Sequence, residues 1–160
     1  DRGARRIVWL APQRGWPAIE RRVAAIRSGL PKGATLGEAA CDELDFQGTV
    51  AAVDRILGSG PPPDAIMGAN DQIAIAALHA LRRRKLRVPR DIQVTGYNNF
   101  AFRNFATPLL TTVTSCATDI GYRAAQAMLA RLDSGAFRER RIELPVELTI
   151  GETTNTRPVR

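Results

Sequence analysis

The chain has 160 residues, of which 44% are hydrophobic and 24% are charged, ordinary proportions for one globular domain with a sizeable core. No apolar run approaches the roughly 20 residues that a membrane-spanning helix needs. The net charge of +7 comes almost entirely from arginines, which are spread over predicted helix surfaces without interleaved aromatic residues. The sequence shows no helix-turn-helix segment and no zinc-finger spacing, so the charge does not predict a nucleic-acid site.

Strands and helices alternate over the first part of the chain. The predicted elements are strands over 7–11 and 35–40 and helices over 18–28 and 47–57. In the first helix, Ile19, Val23 and Ile26 recur at three- and four-residue steps, which gives one core face. Trp9 is expected in the core, and the glycine- and proline-rich stretch 58–63 is expected as an exposed connector.

The middle of the chain carries the clearest pattern. A short apolar run over 65–68 precedes a long Ala/Ile/Leu-rich segment over 71–84, and a β-branched run over 92–95 follows. This alternation predicts a βαβ unit of a parallel sheet. Asn70 or Asp71 is expected to cap the helix, because the first turn leaves amide N–H groups without partners. Both side chains then stand at the carboxyl end of a strand, where open α/β sheets bind their ligands.

The helix predicted over 71–84 is apolar around most of its circumference. Only Gln72, His79 and Arg83 share a clearly polar face, and His79 is expected to be exposed to solvent. Such a helix buries two sides, one against the sheet and one against a second partner. The alternative is that its many alanines, being small, tolerate exposure.

The start of the chain and its two cysteines predict a fragment and a reducing environment. The chain opens on Asp1, Arg2 and Gly3, shortly before a strand, with neither an initiating methionine nor a signal-peptide pattern, so we expect a fragment of a longer protein. Cys41 and Cys116 belong to no CxxC motif and have no histidine beside them, so we expect no metal or redox role. Two buried free thiols fit a reducing cytoplasm, while a disulfide between them stays open as an alternative.

Three phrases occur in a fixed order in the middle of the chain: PDAI-x-x-AND-x-x-A, RVPRDI-x-V-x-GY and PLLTTV. In this order and spacing they resemble the effector domain of the lactose/galactose repressor family (LacI/GalR type) of bacterial transcription regulators. The likeness extends to ARRIVWLA and RRVAAIRSGL near the start and to RIELPVELTIGETT near the end. It covers nearly the whole chain.

The resemblance implies an α/β fold of three layers, α/β/α, with a mostly parallel, doubly wound sheet of the periplasmic-binding-protein type I kind. Only its C-terminal lobe would be present. Residues 1–110 would form that lobe, 111–145 would cross into the N-terminal lobe of the intact protein, and 146–160 would return as a strand and tail.

The crossing segment contains a helix expected over 118–132. Its apolar residues are expected to face inward: Ile120, Ala124, Met128 and Leu129. Because this helix would belong to the first lobe, it would lack its natural sheet and should be poorly ordered, dock elsewhere or find a partner subunit. The alternation over 141–150 predicts one or two further strands.

The ligand site implied by the resemblance comprises Arg22, Asn70, Asn98, Trp16 and Glu43. Arg22 matches the family's effector-contacting arginine, whose planar fork can hold vicinal hydroxyls or a carboxylate, although a solvated helix arginine is the alternative. The Asn70 amide suits sugar hydroxyls or merely caps the helix. Asn98 stands where the family usually has Asp, so the lost charge favours an uncharged or anionic effector, such as a sugar or sugar acid. Trp16 could stack on a sugar ring or pack at the rim, and Glu43, if it points inward, opposes an anionic effector.

A homodimer is also implied by the resemblance. Its interface would include Ile75 and Leu78 of the wide apolar helix and two aromatic residues, Phe102 and Phe105, of the loop after the βαβ unit. Aromatic residues in that loop are too many for solvent and should pack on the dimer partner or on the neighbouring subdomain.

Lys85 departs from the family pattern, since relatives often carry Gly where this helix stops. A left-handed backbone at Lys85 would cost about 1–2 kcal/mol. If the backbone is not left-handed, the turn differs from that of the family.

No catalytic constellation emerges from the sequence. There is no G-x-S-x-G, P-loop or G-x-G-x-x-G motif and no pair of histidines, so an enzyme is disfavoured and no cofactor or metal is expected. The implied function is effector sensing, with operator DNA contacted only through a helix-turn-helix domain outside this chain. The alternatives are a periplasmic sugar-binding protein of a transport system and a sugar-processing enzyme of Rossmann type.

Overall fold

The computed structural model describes residues 3–13, 15–42 and 44–155, and strands alternate with helices along them. The elements are β1 (Arg6–Pro12), α1 (Pro17–Ser28), β2 (Thr35–Cys41), α2 (Phe46–Gly58), β3 (Ala65–Gly68), α3 (Asp71–Arg83), β4 (Gln93–Asn98), a 3₁₀ helix (Ala101–Phe105), β5 (Thr111–Thr114), α4 (Ala117–Ser134) and β6 (Glu147–Thr149). The predicted α/β class is confirmed.

The strands form one sheet in the order β2-β1-β3-β4-β5-β6. Neighbouring strands from β2 to β5 are parallel, and β6 joins β5 in the antiparallel sense. The register places Ile66 between Val8 and Val94, and both Ile66 and Val94 are fully buried. Because β1, β3, β4 and β5 run in the same direction, their ends meet at one edge of the sheet, which we call the carboxyl edge.

The wide apolar surface of α3 finds its second partner within the chain. One side of α3 packs on β3 and β4, and α2 packs against another side. Ile73 and Leu81 are almost fully buried and Leu78 is buried, whereas Ile75 is half-buried. The prediction that α3 buries two sides is therefore confirmed. His79 is exposed as expected, with its ring edge-on to Phe46.

Both ends of α3 are fixed by local hydrogen bonds. The Asn70 side chain accepts a hydrogen bond from the Ile73 amide at 2.9 Å, which makes Asn70 the N-cap. At the other end, Lys85 has φ 59°, the Lys85 amide donates to the Arg82 carbonyl, and the Leu86 amide donates to the Leu81 carbonyl. This pair of bonds is a Schellman motif, so Lys85 does adopt the left-handed backbone that glycine would take without strain.

The apolar face of α4 is uncovered, as expected for a helix that lacks its natural sheet in this chain. Ile120, Met128 and Leu129 are 57%, 53% and 63% exposed, Ala124 is also exposed, and no residue of α4 is buried. The physical reason is that no sheet among the described residues covers this face. The face instead borders an open cleft of about 710 Å³, shared with the segment 137–144.

Of the one or two strands predicted over 141–150, the structure contains one, the short strand Glu147–Thr149. These three residues pair with 112–114, and β5 is only four residues long, so the residues before 147 have no strand to pair with. The proposed boundaries at 110 and 145 remain predictions, and residues 156–160 of the predicted tail lie outside the described residues.

Two expectations about buried and apolar residues can be compared directly. Trp9 lies in the core, at 5% exposed, as expected. Cys41 and Cys116 are free thiols, but both are half-buried and not buried. Within the described ranges, no helix is long and apolar enough to cross a membrane.

Candidate functional site

Arg22 reaches across the carboxyl edge from α1. Its Nη1 donates a hydrogen bond to the Ala69 carbonyl at 2.9 Å, and its guanidinium carbon lies 3.6 Å from the centroid of the Tyr97 ring. Ala69 directly precedes Asn70, and Tyr97 directly precedes Asn98. One half-buried arginine therefore bridges the ends of β3 and β4 and stands beside both predicted asparagines.

The charge of Arg22 is not matched by a carboxylate in the part of the chain that the structure describes. The ion pairs found there join other arginines to other acids. A cation–π contact with Tyr97 and a single carbonyl leave guanidinium N–H groups that can still donate to a ligand. Glu43, predicted to contribute to the ligand site, lies outside the described residues.

Asn98 occupies a backbone conformation that few residues adopt. Asn98 has φ 106° and Asn99 has φ 56°, so two consecutive residues at the end of β4 have positive φ. The side-chain Nδ2 of Asn99 donates to Thr114 Oγ1 at 3.0 Å, and Ser115 Oγ donates to the Asn98 carbonyl at 3.4 Å. The turn that carries Asn98 is thereby tied to the end of β5.

The other predicted site residues fall at the same end of the sheet, with different exposure. Asn70 is 8% exposed, and its side-chain oxygen is used in the helix cap. Trp16 immediately precedes α1, which follows the end of β1, and is 44% exposed. The structure thus places Arg22 against the residues that directly precede Asn70 and Asn98, with Trp16 just before the helix that carries Arg22.

Three residues at this edge were not predicted as site residues. Tyr97 supports the Arg22 guanidinium, Asp71 is buried and accepts a hydrogen bond from the Phe100 amide, and Arg103 is buried and bonds to the Leu110 carbonyl. Burial raises the pKa of Asp71 above its usual value. The hydrogen bonds from Thr112 and Phe100 and the charge of Arg103 lower the pKa but do not cancel the rise. The G-Y pair within β4 was a usable signal for Tyr97. Nothing local signals a buried arginine, because Arg103 donates from Nε to the carbonyl of Leu110 seven residues later.

The residues predicted for a dimer interface lie on and beside α3. Leu78 is buried, Ile75 is half-buried, Phe102 is 37% exposed and Phe105 is 88% exposed. Ile75 and Phe102 share a shallow pocket of about 320 Å³ whose other described lining residues are Leu44, Phe46, Thr49 and Gln72. Apolar side chains thus remain uncovered next to α3.

Comparison with known proteins identifies the fold family. The periplasmic binding protein-like domain family matches residues 1–154. The chain belongs to this family. The resemblance to the effector domain of LacI-type regulators is also confirmed by its relatives. It is 29% identical over 158 residues to the HTH-type transcriptional regulator CelR of Thermobifida fusca, and 30% identical over 102 residues to the ribose operon repressor of Escherichia coli (strain K12).

This periplasmic binding protein-like domain is shorter than those relatives. The match to CelR covers 96% of the chain and 46% of CelR, and the match to the ribose operon repressor covers 64% and 31%. The chain therefore spans less than half the length of these curated relatives.

Solved structures give the same assignment. A LacI family transcriptional regulator from Bifidobacterium animalis subsp. lactis superposes with a TM-score of 0.87 at 26% identity, over 99% of this domain and 57% of that chain. A dimeric lac repressor with a C-terminal deletion superposes with a TM-score of 0.82 at 26% identity, over 96% of this domain and 56% of that chain. A complex of the regulator CelR with cellobiose superposes with a TM-score of 0.78 at 26% identity, over 94% of this domain and 47% of that chain. These relatives are transcription regulators, which is the class that the sequence favoured over a transport protein.

Proposed function

We propose that this domain senses a small sugar acid on behalf of a transcription regulator. The observation that carries the proposal is Arg22, held over Tyr97 at the carboxyl edge beside Asn70 and Asn98 and without a carboxylate partner in the described part of the chain. A half-buried cation of this kind favours a ligand that supplies the missing negative charge.

The ligand would be recognised by charge and by amides. The planar guanidinium of Arg22 can donate two parallel hydrogen bonds to a carboxylate, and Tyr97 restricts its orientation. Asn98 can donate to or accept from a hydroxyl, whereas an aspartate there would repel an anionic ligand. Trp16 would cover one face of the sugar ring. These groups bind and orient, and none is placed to transfer a proton, so we propose sensing without catalysis.

The remainder of the proposed activity involves protein beyond this domain. We propose that the effector closes this edge against a second lobe, that closure shifts the relative population of two arrangements, and that operator DNA is contacted through a separate helix-turn-helix domain in the cytoplasm. Support comes from the relatives, since CelR has been solved with cellobiose and the lac repressor as a dimer. A homodimer of this protein would use Ile75, Phe102 and Phe105, while Leu78 is already buried within the chain.

A calorimetric titration tests the ligand class. D-glucuronate, D-galacturonate and D-gluconate are compared with D-glucose, D-ribose and cellobiose at pH 7. We expect a sugar acid to bind more tightly than its neutral counterpart, and Arg22→Gln to weaken that binding by roughly 10- to 100-fold, the range for a lost charge-assisted hydrogen bond.

Arg21→Gln is the matched control, because Arg21 is the neighbouring exposed arginine of α1. It should bind the acid as the unchanged protein does. Equal losses in both variants would indicate a general charge effect, and tighter binding of neutral sugars would contradict the sugar-acid proposal.

A further inference from the structure

Asp71 is a fully buried carboxylate directly behind the proposed site. It is 0% exposed at the first position of α3, next to the capping Asn70. Its Oδ2 accepts a hydrogen bond from the Phe100 amide at 2.7 Å, and its Oδ1 accepts one from Thr112 Oγ1 at 2.5 Å. One side chain of α3 therefore joins the turn after β4 to the middle of β5.

The turn that Asp71 holds is the ligand loop, defined here as residues 98–100. Positive φ at two consecutive non-glycine residues is a strained arrangement that persists only when surrounding contacts fix it. The Asn99 side chain fixes the loop from one side through Thr114, and the Asp71 carboxylate fixes it from the other through the Phe100 amide. The loop is thus held at two consecutive residues directly after Asn98.

The position of Asp71 is itself constrained. A Cβ atom at Gly96 would clash with Asp71 Oδ1, so only glycine leaves room for the carboxylate at that point of β4. The buried Arg103, anchored to the Leu110 carbonyl, contributes a positive charge that favours the ionised carboxylate. Charge, space and hydrogen bonds thus all fix one arrangement of Asp71.

We propose that Asp71 is a positioning residue for ligand recognition: it fixes the ligand loop, and through the loop the direction of the Asn98 side chain, without touching the ligand. The consequence for binding rests on the proposed function. The structural consequence, that the loop loses its fixed conformation without Asp71, does not.

Two substitutions separate positioning from general stability. Asp71→Asn keeps an oxygen for the Phe100 amide and an N–H that can donate to the Thr112 hydroxyl, so it should retain the loop. Asp71→Ala removes the acceptor of both bonds, so the part-buried Phe100 amide and the buried Thr112 hydroxyl lose their partner. Thr112→Val removes one partner of Asp71, and Thr49→Val is its matched control, since Thr49 is also buried and donates its hydroxyl to the Asp42 carbonyl, in another part of the fold.

The first measurement is amide hydrogen exchange, residue by residue, on the purified chain. In Asp71→Ala we expect exchange at Phe100 to accelerate at least about tenfold, while the core amide of Val94 keeps its protection and Asp71→Asn restores most of the protection at Phe100. Unchanged exchange at Phe100, or acceleration at Phe100 and Val94 in equal measure, would overturn the proposal.

Thr112→Val covers the case in which Asp71→Ala does not fold. It should accelerate exchange at Phe100 more than Thr49→Val does. An effect no larger than that of Thr49→Val would count against positioning.

The second measurement is binding of sodium D-glucuronate. If the unchanged chain binds it, Asp71→Ala should weaken binding by about tenfold and Asp71→Asn by less than about threefold, and equal losses would overturn the link to recognition. Absence of binding by the unchanged chain counts against the proposed function, whereas the exchange results decide the positioning of the loop on their own.

Discussion

At the scale of single residues, the start of α3 shows which contacts a sequence pattern predicts and which it does not. Asn70 follows a strand and precedes an apolar helix, and that local order predicts the cap that the structure shows. Asp71, one residue later, has the same local surroundings but a different role, because its partners Phe100 and Thr112 lie 29 and 41 residues away. Local pattern therefore predicts the cap and leaves the buried carboxylate undetected.

The ion pair between Asp91 and Arg87 gives a prediction for pH. The side-chain hydrogen bond from Arg87 lowers the pKa of Asp91 from 3.8 to about 2. Because the folded-state pKa is depressed, this carboxylate stabilises the fold fully above pH 3.8 and ceases to do so as the pH falls through about 2. Urea unfolding between pH 5 and pH 2 should show a steeper loss of stability for the unchanged protein than for Asp91→Asn.

Identical slopes for the two proteins over that range would contradict the assignment. Asp42→Asn serves as a control, because Asp42 forms none of the ion pairs found among the described residues and should leave the slope almost unchanged.

At the scale of elements, the central βαβ unit was the most predictable part of the chain. The bounds of β3 agree with the prediction, and α3 ends one residue before the predicted end. Both elements are specified by apolar periodicity and by a cap within a few residues. The segment after β5 was not predictable in the same way, because periodicity shows that α4 has an apolar face without showing whether anything covers it. Its exposed Met128 and Leu129 follow from missing contacts and not from any feature of the helix itself.

The end of α3 supplies the second prediction. Lys85→Gly should raise the free energy of unfolding by about 1 kcal/mol, because glycine adopts φ near +60° without the strain that Lys85 accepts. Urea denaturation at pH 7 measures the difference. Lys32→Gly is the control, since Lys32 is an exposed turn lysine without positive φ and should be neutral or slightly destabilising. A destabilised Lys85→Gly variant would contradict the account of this helix end.

At the scale of the whole molecule, the distribution of exposed apolar residues points to association. Ile75 and Phe102 line one open pocket beside α3, and Phe105 of the following 3₁₀ helix is exposed, whereas Leu78 is buried within the chain. The Phe105 side chain is 88% exposed, and an exposed apolar side chain does not stabilise a monomer. A two-fold symmetric dimer would bury the Phe105 side chain of each subunit.

Sedimentation equilibrium tests that dimer. The unchanged chain should approach twice the monomer mass at high concentration, and Phe105→Glu should shift it towards the monomer, because a carboxylate in an apolar interface loses its hydration. Leu132→Glu is the matched control, as Leu132 is 74% exposed on α4, away from the proposed interface. A monomeric unchanged chain, or equal masses for the two variants, would count against these interface residues.

The exit of the chain from the sheet after β5 has a mechanical consequence. Thr114 bonds both to Asn99 and, at 2.5 Å, to the hydroxyl of Thr149, while Ser115 bonds to the Asn98 carbonyl. A rotation of the backbone at Thr114 or Ser115 would bend or break these bonds and so disturb the two asparagines that they hold. Hydrogen bonds are directional whereas apolar contacts tolerate sliding, so this junction resists some rotations far more than others.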